Sequence, residues 1–393
     1  MRELPPRLAW LNDELADWNA AGLRRPRRVC TPLPEGRCRL DGKKLCNFAA
    51  NDYLGLAQDE RVREAAIEAL RDAGVGSGAS ALVSGRTPWH ERLEAALAAF
   101  ENQEAAVLFP SGLAANIGVI AALAGPEDVV FCDRFNHASL VDGGRLSGAR
   151  LRIYRHSDLT GLARSLGKAS DARRRWIVTD SVFSMDGDLG PLPELTDLAD
   201  QYSAGLIVDE AHATGVFGER SRGVAELMGV EHRIDVRIGT LSKALGGLGG
   251  FVAGPAELIE YLWNRARTQV YSTALPPAVC AAAMAALEIL QSEPERRQRL
   301  WALSDQLRQG LMERGIEPYP GSTGPIVPVV LGSPAAAVAA AAQLKDRGYL
   351  VGAIRPPTVP QGTARLRISV SAVHREEDVS GLVTAIAEVV GRR

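Results

Sequence analysis

The chain has 393 residues, of which 46% are hydrophobic and 23% charged, and its formal net charge is −2. That length exceeds one typical hydrophobic core and implies two or three domains. The near-neutral charge speaks against a nucleic-acid partner or an anionic membrane, and no apolar run reaches the length of a bilayer span. The five cysteines, Cys30, Cys38, Cys46, Cys132 and Cys280, form no Cys-x-x-Cys pair and fit no usual zinc spacing. They read as reduced thiols, with no metal site expected. The first residues lack the apolar stretch of a secretory signal and carry Glu3, Asp13, Glu14 and Asp17, so cytoplasmic residence is the expectation.

In chain order, residues 1–50 read as an N-terminal arm. It comprises a helix over 8–21, a connector with Arg24, Arg25, Arg27 and Arg28, and a hairpin turning at Asp41-Gly42. Residues 51–275 read as a large domain in which helices alternate with strands. Helices are expected at 61–73 and 89–100; in the second, Leu93, Ala96, Leu97 and Phe100 recur at i, i+3, i+4 and i+7. Seven short apolar strands are expected at 105–109, 129–132, 151–154, 176–179, 206–208, 236–238 and 250–252. Such alternation implies an α/β fold with a mainly parallel sheet covered on both faces. Residues 276–393, after Pro276-Pro277, change to Ala-rich helices, strands at 326–331 and 366–371, and a helix at 335–347. They read as a smaller C-terminal α/β domain.

In parallel sheets, reactive groups gather beyond the carboxyl ends of the strands, so the strand exits carry the functional reading. Lys243 lies in Gly239-Thr240-Leu241-Ser242-Lys243-Ala244-Leu245-Gly246-Gly247, and Asp209 ends the apolar stretch Leu206-Ile207-Val208. A lysine suited to a Schiff base, with Thr240 and Ser242 beside it for a phosphate, pairs with an acid that would keep a pyridine nitrogen protonated. Pyridoxal 5'-phosphate (PLP) needs both. Ser111-Gly112 follows a strand and opens a helix, a place where backbone N–H groups and the helix dipole bind phosphate. His137 could stack on the pyridine ring, and Ser184 and His212 could hydrogen-bond its phenolic oxygen. Read singly, each has a plainer role: a surface lysine, an N-cap, a structural histidine.

Taken in order, Asn51-Asp52-Tyr53-Leu54-Gly55-Leu56, Gly74-Val75-Gly76-Ser77-Gly78, Asn136-His137-Ala138-Ser139, Asp209-Glu210-Ala211-His212, Thr240–Lys243 and Tyr271-Ser272-Thr273 resemble the α-oxoamine synthases. These are fold type I PLP-dependent transferases that join an amino acid to an acyl thioester and release carbon dioxide. The resemblance runs from about residue 20 to the end. It implies a seven-stranded PLP-binding domain and a homodimer in which Ser272 and Thr273 approach the neighbouring subunit's phosphate. It adds Leu113 to the cofactor contacts and gives His137, Asp209 and Lys243 the catalytic work. The turn Ile354-Arg355-Pro356-Pro357-Thr358-Val359-Pro360 points to the member that uses L-alanine and a pimeloyl thioester, carried on coenzyme A or an acyl carrier protein. Arg355 would grip the amino-acid carboxylate. Asn51, Thr358, Arg24 and Arg25 complete the substrate contacts expected. Two departures stand out: Leu113 occupies a position often aromatic, and Ala81-Leu82 replaces the usual Arg-Leu or Gly-His pair.

Other readings fare worse. Asp209-Glu210-Ala211-His212 matches a helicase tetrapeptide, but no Gly-x4-Gly-Lys-Ser/Thr loop accompanies it. Gly76-x-Gly78-x-x-Ala81 has no evident strand before it, which weakens a dinucleotide fingerprint. A relative using glycine and acetyl-CoA, or a ligand sensor built on the same fold, stay open as alternatives.

Overall fold

The protein is described from a computed structural model covering residues 4–25 and 27–391; Glu3 and Pro26 lie outside these. Three strands open the chain: β1 (Cys30–Leu33), β2 (Arg37–Leu40) and β3 (Lys43–Phe48). Seven follow: β4 (Ala105–Phe109), β5 (Val129–Asp133), β6 (Arg150–Tyr154), β7 (Arg175–Asp180), β8 (Gly205–Asp209), β9 (Val236–Thr240) and β10 (Gly250–Gly254). Three more close it: β11 (Ile326–Gly332), β12 (Tyr349–Ile354) and β13 (Ala364–Ser369). The chain divides into two compact units, Asn51–Trp301 and the pair of segments Met1–Ala50 and Ala302–Arg393.

In the unit Asn51–Trp301 the seven strands form one sheet in the order β4-β10-β9-β8-β7-β5-β6. Strands β6, β5, β7, β8 and β9 run parallel, and β10 is antiparallel to both β9 and β4. Every residue of β5, β9 and β10 is buried. This explains unbroken apolar runs such as Val129-Val130-Phe131-Cys132: a strand covered on both faces has no polar side to alternate with. Helix Gly112–Leu123 packs into the same core through Ala115, Val119 and Ile120. Helix Pro277–Ser292 also belongs to this unit and lies along helix Glu60–Ala73. The latter starts at Asp59, whose carboxylate accepts from the Arg61 N–H, and stops at Gly74 with φ of 76°.

The expected sheet is present, with most strands one or two residues longer than expected. The additions at the carboxyl ends are largely polar: Asp133 on β5, Asp180 on β7, Asp209 on β8, and Thr240 on β9. Parallel pairing sets these ends side by side, with Asp180 opposite Asp209 and Asp209 opposite Ile238.

The other unit carries a six-stranded sheet in the order β1-β2-β3-β12-β13-β11, in which β12 joins β3 in parallel. The hairpin at Asp41-Gly42 is present: φ is 53° at Asp41 and 80° at Gly42, the pair of left-handed residues that a two-residue turn between twisted strands requires. The strand expected at 366–371 lies at Ala364–Ser369. Its start was hidden by Arg365, which is only 2% exposed and lies over the Tyr319 ring at 5.1 Å. The helix expected over 8–21 is Trp10–Ala20, preceded by a short 3-10 turn at Pro6–Leu8. All five cysteines are free. Among the described residues, no helix is long and apolar enough to cross a membrane.

Candidate active site

The exits of β4, β5, β7, β8 and β9 supply the site in the unit Asn51–Trp301. Ser111 leaves β4 in extended conformation and caps helix Gly112–Leu123, its hydroxyl accepting from Ala114 N at 3.1 Å. The first turn thereby directs backbone N–H groups out of the helix end, the arrangement that attracts phosphate. Thr240 lies against this turn: a Cβ on Gly112 would come 3.2 Å from Thr240 Oγ1. Thr240 Oγ1 is also 2.8 Å from Ser242 Oγ. Beneath the turn, Gly250 opens β10, and a Cβ there would lie 2.6 Å from Ser111 O and 2.8 Å from Gly112 Cα. Only glycine lets β10 approach so closely.

Asp209 ends β8 and is 5% exposed. One carboxylate oxygen accepts from Asn116 Nδ2 at 2.6 Å and the other from Ala211 N at 2.8 Å. Asp180, beside it on β7, accepts the backbone N–H of His137 at 2.7 Å. Burial, and then the negative charge of Asp209, push Asp180 well above the ordinary carboxylate range, while Lys243 pulls the other way. His137 keeps much of its surface open, yet its surroundings desolvate the charged ring and hold its pKa below the usual imidazole value. Asp209 opposes that shift and Lys243 adds to it. Lys243, Asp209, Asp180 and His137 therefore form one electrostatic cluster.

His212 is buried, and its Nδ1 lies 2.7 Å from the Tyr53 hydroxyl. Tyr53 Oη also donates to Asn51 Oδ1 at 3.4 Å. Ser184 is half-buried on the loop closed by Phe183 N donating to Asp188 O at 3.0 Å. Leu113 is 53% exposed in the first turn of its helix. Thr273 bridges Ser80, and Ser272 and Thr273 line a pocket with Pro110, Ala81, His90 and Gln269. In the other unit, residues far apart in sequence meet. Arg355 donates to the Arg24 carbonyl at 3.0 Å, and Arg25 reaches Thr358 Oγ1 at 3.5 Å. Arg355 Nε is buried with no partner among the described residues. Burial, then the positive charges of Arg25 and Arg28, lower the pKa of Arg355.

These residues fit PLP. A helix end with hydroxyls beside it suits a phosphate, a fixed buried carboxylate suits a pyridinium N–H, and an amine stands in the same cluster. The residues 43–386 match the family model described as aminotransferase class I and II. The chain belongs to that family. It is 51% identical, over 98% of its length and 96% of the relative's, to an 8-amino-7-oxononanoate synthase of Anaeromyxobacter dehalogenans strain 2CP-1. Among solved structures it resembles a serine palmitoyltransferase from S. paucimobilis with a bound PLP–myriocin aldimine, at 32% identity and TM-score 0.92, covering 99% of this chain and 100% of that one. It also resembles an 8-amino-7-oxononanoate synthase from Francisella tularensis, at 28% identity and TM-score 0.76, covering 88% of this chain and 98% of that one.

Sequence reasoning had no role for Asn116, Ser139, Asp180, Gly250 or Tyr53, all now seen to touch or support the family's site residues. Signals existed for some of them. Asn116 lies on the helix that Ser111-Gly112 opens, Ser139 falls within the Asn136–Ser139 stretch, and Asp180 is a charged residue closing an apolar strand. Gly250 carried none, because its reason is the approach of another strand's turn.

Proposed function

We infer that the protein is a PLP-dependent acyltransferase of the 8-amino-7-oxononanoate synthase type, joining L-alanine to a pimeloyl thioester with loss of carbon dioxide, a step in biotin biosynthesis. The observation that supports the reaction class best is the Asp209 carboxylate, buried and held through both oxygens in one cluster with Lys243 and His137. The 51% identity over nearly the whole chain supports the substrate pair.

PLP, when bound, supplies an electron sink for the pair left on the amino-acid α-carbon. Ser111, the N–H groups of Gly112 and Leu113, and Thr240 hold the phosphate; Asp209 keeps the ring nitrogen protonated. Ser184 and His212 bond the phenolic oxygen, with Tyr53 fixing the His212 ring. Lys243 would carry the cofactor and, when freed from it, would take the α-proton as a general base. His137 covers the ring face and offers a hydrogen bond to the carboxylate or the developing oxyanion. Arg355, with Thr358 and Asn51, holds the alanine carboxylate, and Arg24 and Arg25 bind the acyl substrate. The working form is a homodimer in which Ser272 and Thr273 serve the neighbouring subunit's phosphate.

The test is a product assay pairing alanine, glycine and serine with acetyl, succinyl and pimeloyl thioesters on coenzyme A and on acyl carrier protein. Preference for alanine with pimeloyl thioester is expected. Preference for glycine with acetyl-CoA would move the chain to a different member of the group, and no turnover in a PLP-binding protein would favour a sensor.

A further inference from the structure

Asp209 and His137 are joined by two side chains outside the cofactor contacts. Asn116 Nδ2 lies 2.6 Å from Asp209 Oδ2 and 2.8 Å from Ser139 Oγ, and Ser139 Oγ lies 2.7 Å from His137 Nδ1. Asn116 is 2% exposed and Ser139 fully buried, so water does not substitute for these partners.

The direction of each bond can be derived. Were the Asn116 amide turned over, its oxygen would sit 2.6 Å from a carboxylate oxygen, two acceptors facing each other. Its nitrogen therefore faces Asp209, and its two hydrogens go to Asp209 and Ser139. Ser139 Oγ accepts one of them, which leaves its own proton for His137 Nδ1. The Ser139 backbone N–H also donates to Nδ1, at 3.3 Å. A ring nitrogen that receives two donors has no place for a proton of its own.

We propose that Asn116 and Ser139 are positioning residues that hold His137 as the neutral imidazole with its proton on Nε2. Protonating Nδ1 would turn the Ser139 hydroxyl into an acceptor from both sides and leave its proton unbonded in a buried place, which is costly. His137 then presents an N–H donor, not a base, and proton abstraction falls to Lys243. That last consequence rests on the proposed reaction; the tautomer does not. The depressed pKa of His137, caused by burial and Lys243 against the pull of Asp209 and Asp142, agrees with a ring kept neutral. Asp180, which takes the backbone N–H of His137, fixes the loop without touching the ring nitrogens.

The experiment is two-bond 1H–15N NMR on holoenzyme labelled with 15N-histidine. The chain has six histidines, and the His137 signals are those lost in His137→Gln. The parent should show a neutral ring protonated on Nε2, titrating below ~6.5, the free imidazole value. Ser139→Ala should raise the midpoint by about one pH unit, a tenfold change in proton affinity and the size of one hydrogen bond, and admit the Nδ1–H tautomer. Ser139→Thr should restore the parent pattern, and Asn116→Ala should also mix the tautomers. A parent ring protonated on Nδ1, or an unchanged titration in Ser139→Ala, overturns the proposal. An unchanged tautomer in Asn116→Ala removes Asn116 from it. The readout is protonation rather than turnover, so it fails or succeeds separately from the substrate assignment, which the product assay decides.

Discussion

His156 Nε2 lies 2.8 Å from Asp188 Oδ2, and this pair ties the loop bearing Ser184 to the exit of β6. The other ring nitrogen lies 3.0 Å from Asp133 at the end of β5, and the ring stacks on Phe135 at 4.5 Å. Three strand exits are thus fastened around one imidazole. Burial alone would lower its pKa, but the two carboxylates outweigh burial and raise it from 6.5 to about 10.

The bridge should make stability depend on alkaline pH. Because the folded-state pKa is raised, the contribution is full below the unfolded value of 6.5 and is lost as pH rises through about 10. His156→Ala should cost about 3–5 kcal/mol near neutrality, since it strands two carboxylates that are largely buried. Urea midpoints of parent and variant should converge above pH ~10. A gap that stays constant from pH ~6 to above pH ~10 would mean the bridge is not ionic.

Lys243→Ala should leave the fold intact, because Lys243 sits half-buried on a loop rather than in the core. Turnover should fall by about 10²–10⁴-fold or more, the range for a general base. Borohydride should fix PLP to the parent chain and not to the variant. Peptide mapping that found the label on a different lysine would reassign the anchor.

Gly250→Ala tests the phosphate cradle without removing any polar side chain. The new methyl would meet Ser111 O and Gly112 Cα, both backbone atoms that cannot swing aside. Overpacking of this kind costs about 1–3 kcal/mol, and here it should appear jointly as a lower melting temperature and weaker PLP retention on dialysis. Unchanged retention would show that the helix end does not hold the phosphate.

The sheet was legible because strands buried on both faces announce themselves as apolar runs. The same rule trimmed them at the polar residues that end them, so Asp133 and Asp180 were left without roles, whereas Asp209 drew a role as the acid closing an apolar run that pairs with Lys243. The arginines carried a different kind of error. Arg365 was left outside the strand expected at 366–371 but is buried against Tyr319 within β13, which starts two residues earlier. The pairing of Arg24 with Arg355 joins positions 331 residues apart and could be anticipated from no local pattern. Asn116 and Ser139 were visible as letters, but their link between Asp209 and His137 exists only once the strands β4, β5 and β8 that precede or carry these residues are assembled in one sheet.

Arg355→Lys tests substrate choice. In the structure one guanidinium nitrogen is already committed to the Arg24 carbonyl at 3.0 Å, while Nε is buried with no partner among the described residues. A buried donor without an acceptor is costly, and a carboxylate would satisfy it while offsetting the burial and the repulsion from Arg25 and Arg28 that together lower the pKa of Arg355. Lysine keeps the charge but loses the planar fork, so alanine capture should weaken by about 1–3 kcal/mol, the range for charge-assisted hydrogen bonds. Measured as KM, the effect should fall on alanine and leave the thioester within about twofold, because a lost contact to one substrate removes uniform binding of that substrate alone. Normal alanine binding with impaired thioester binding would assign Arg355, together with Arg24 and Arg25, to the acyl substrate.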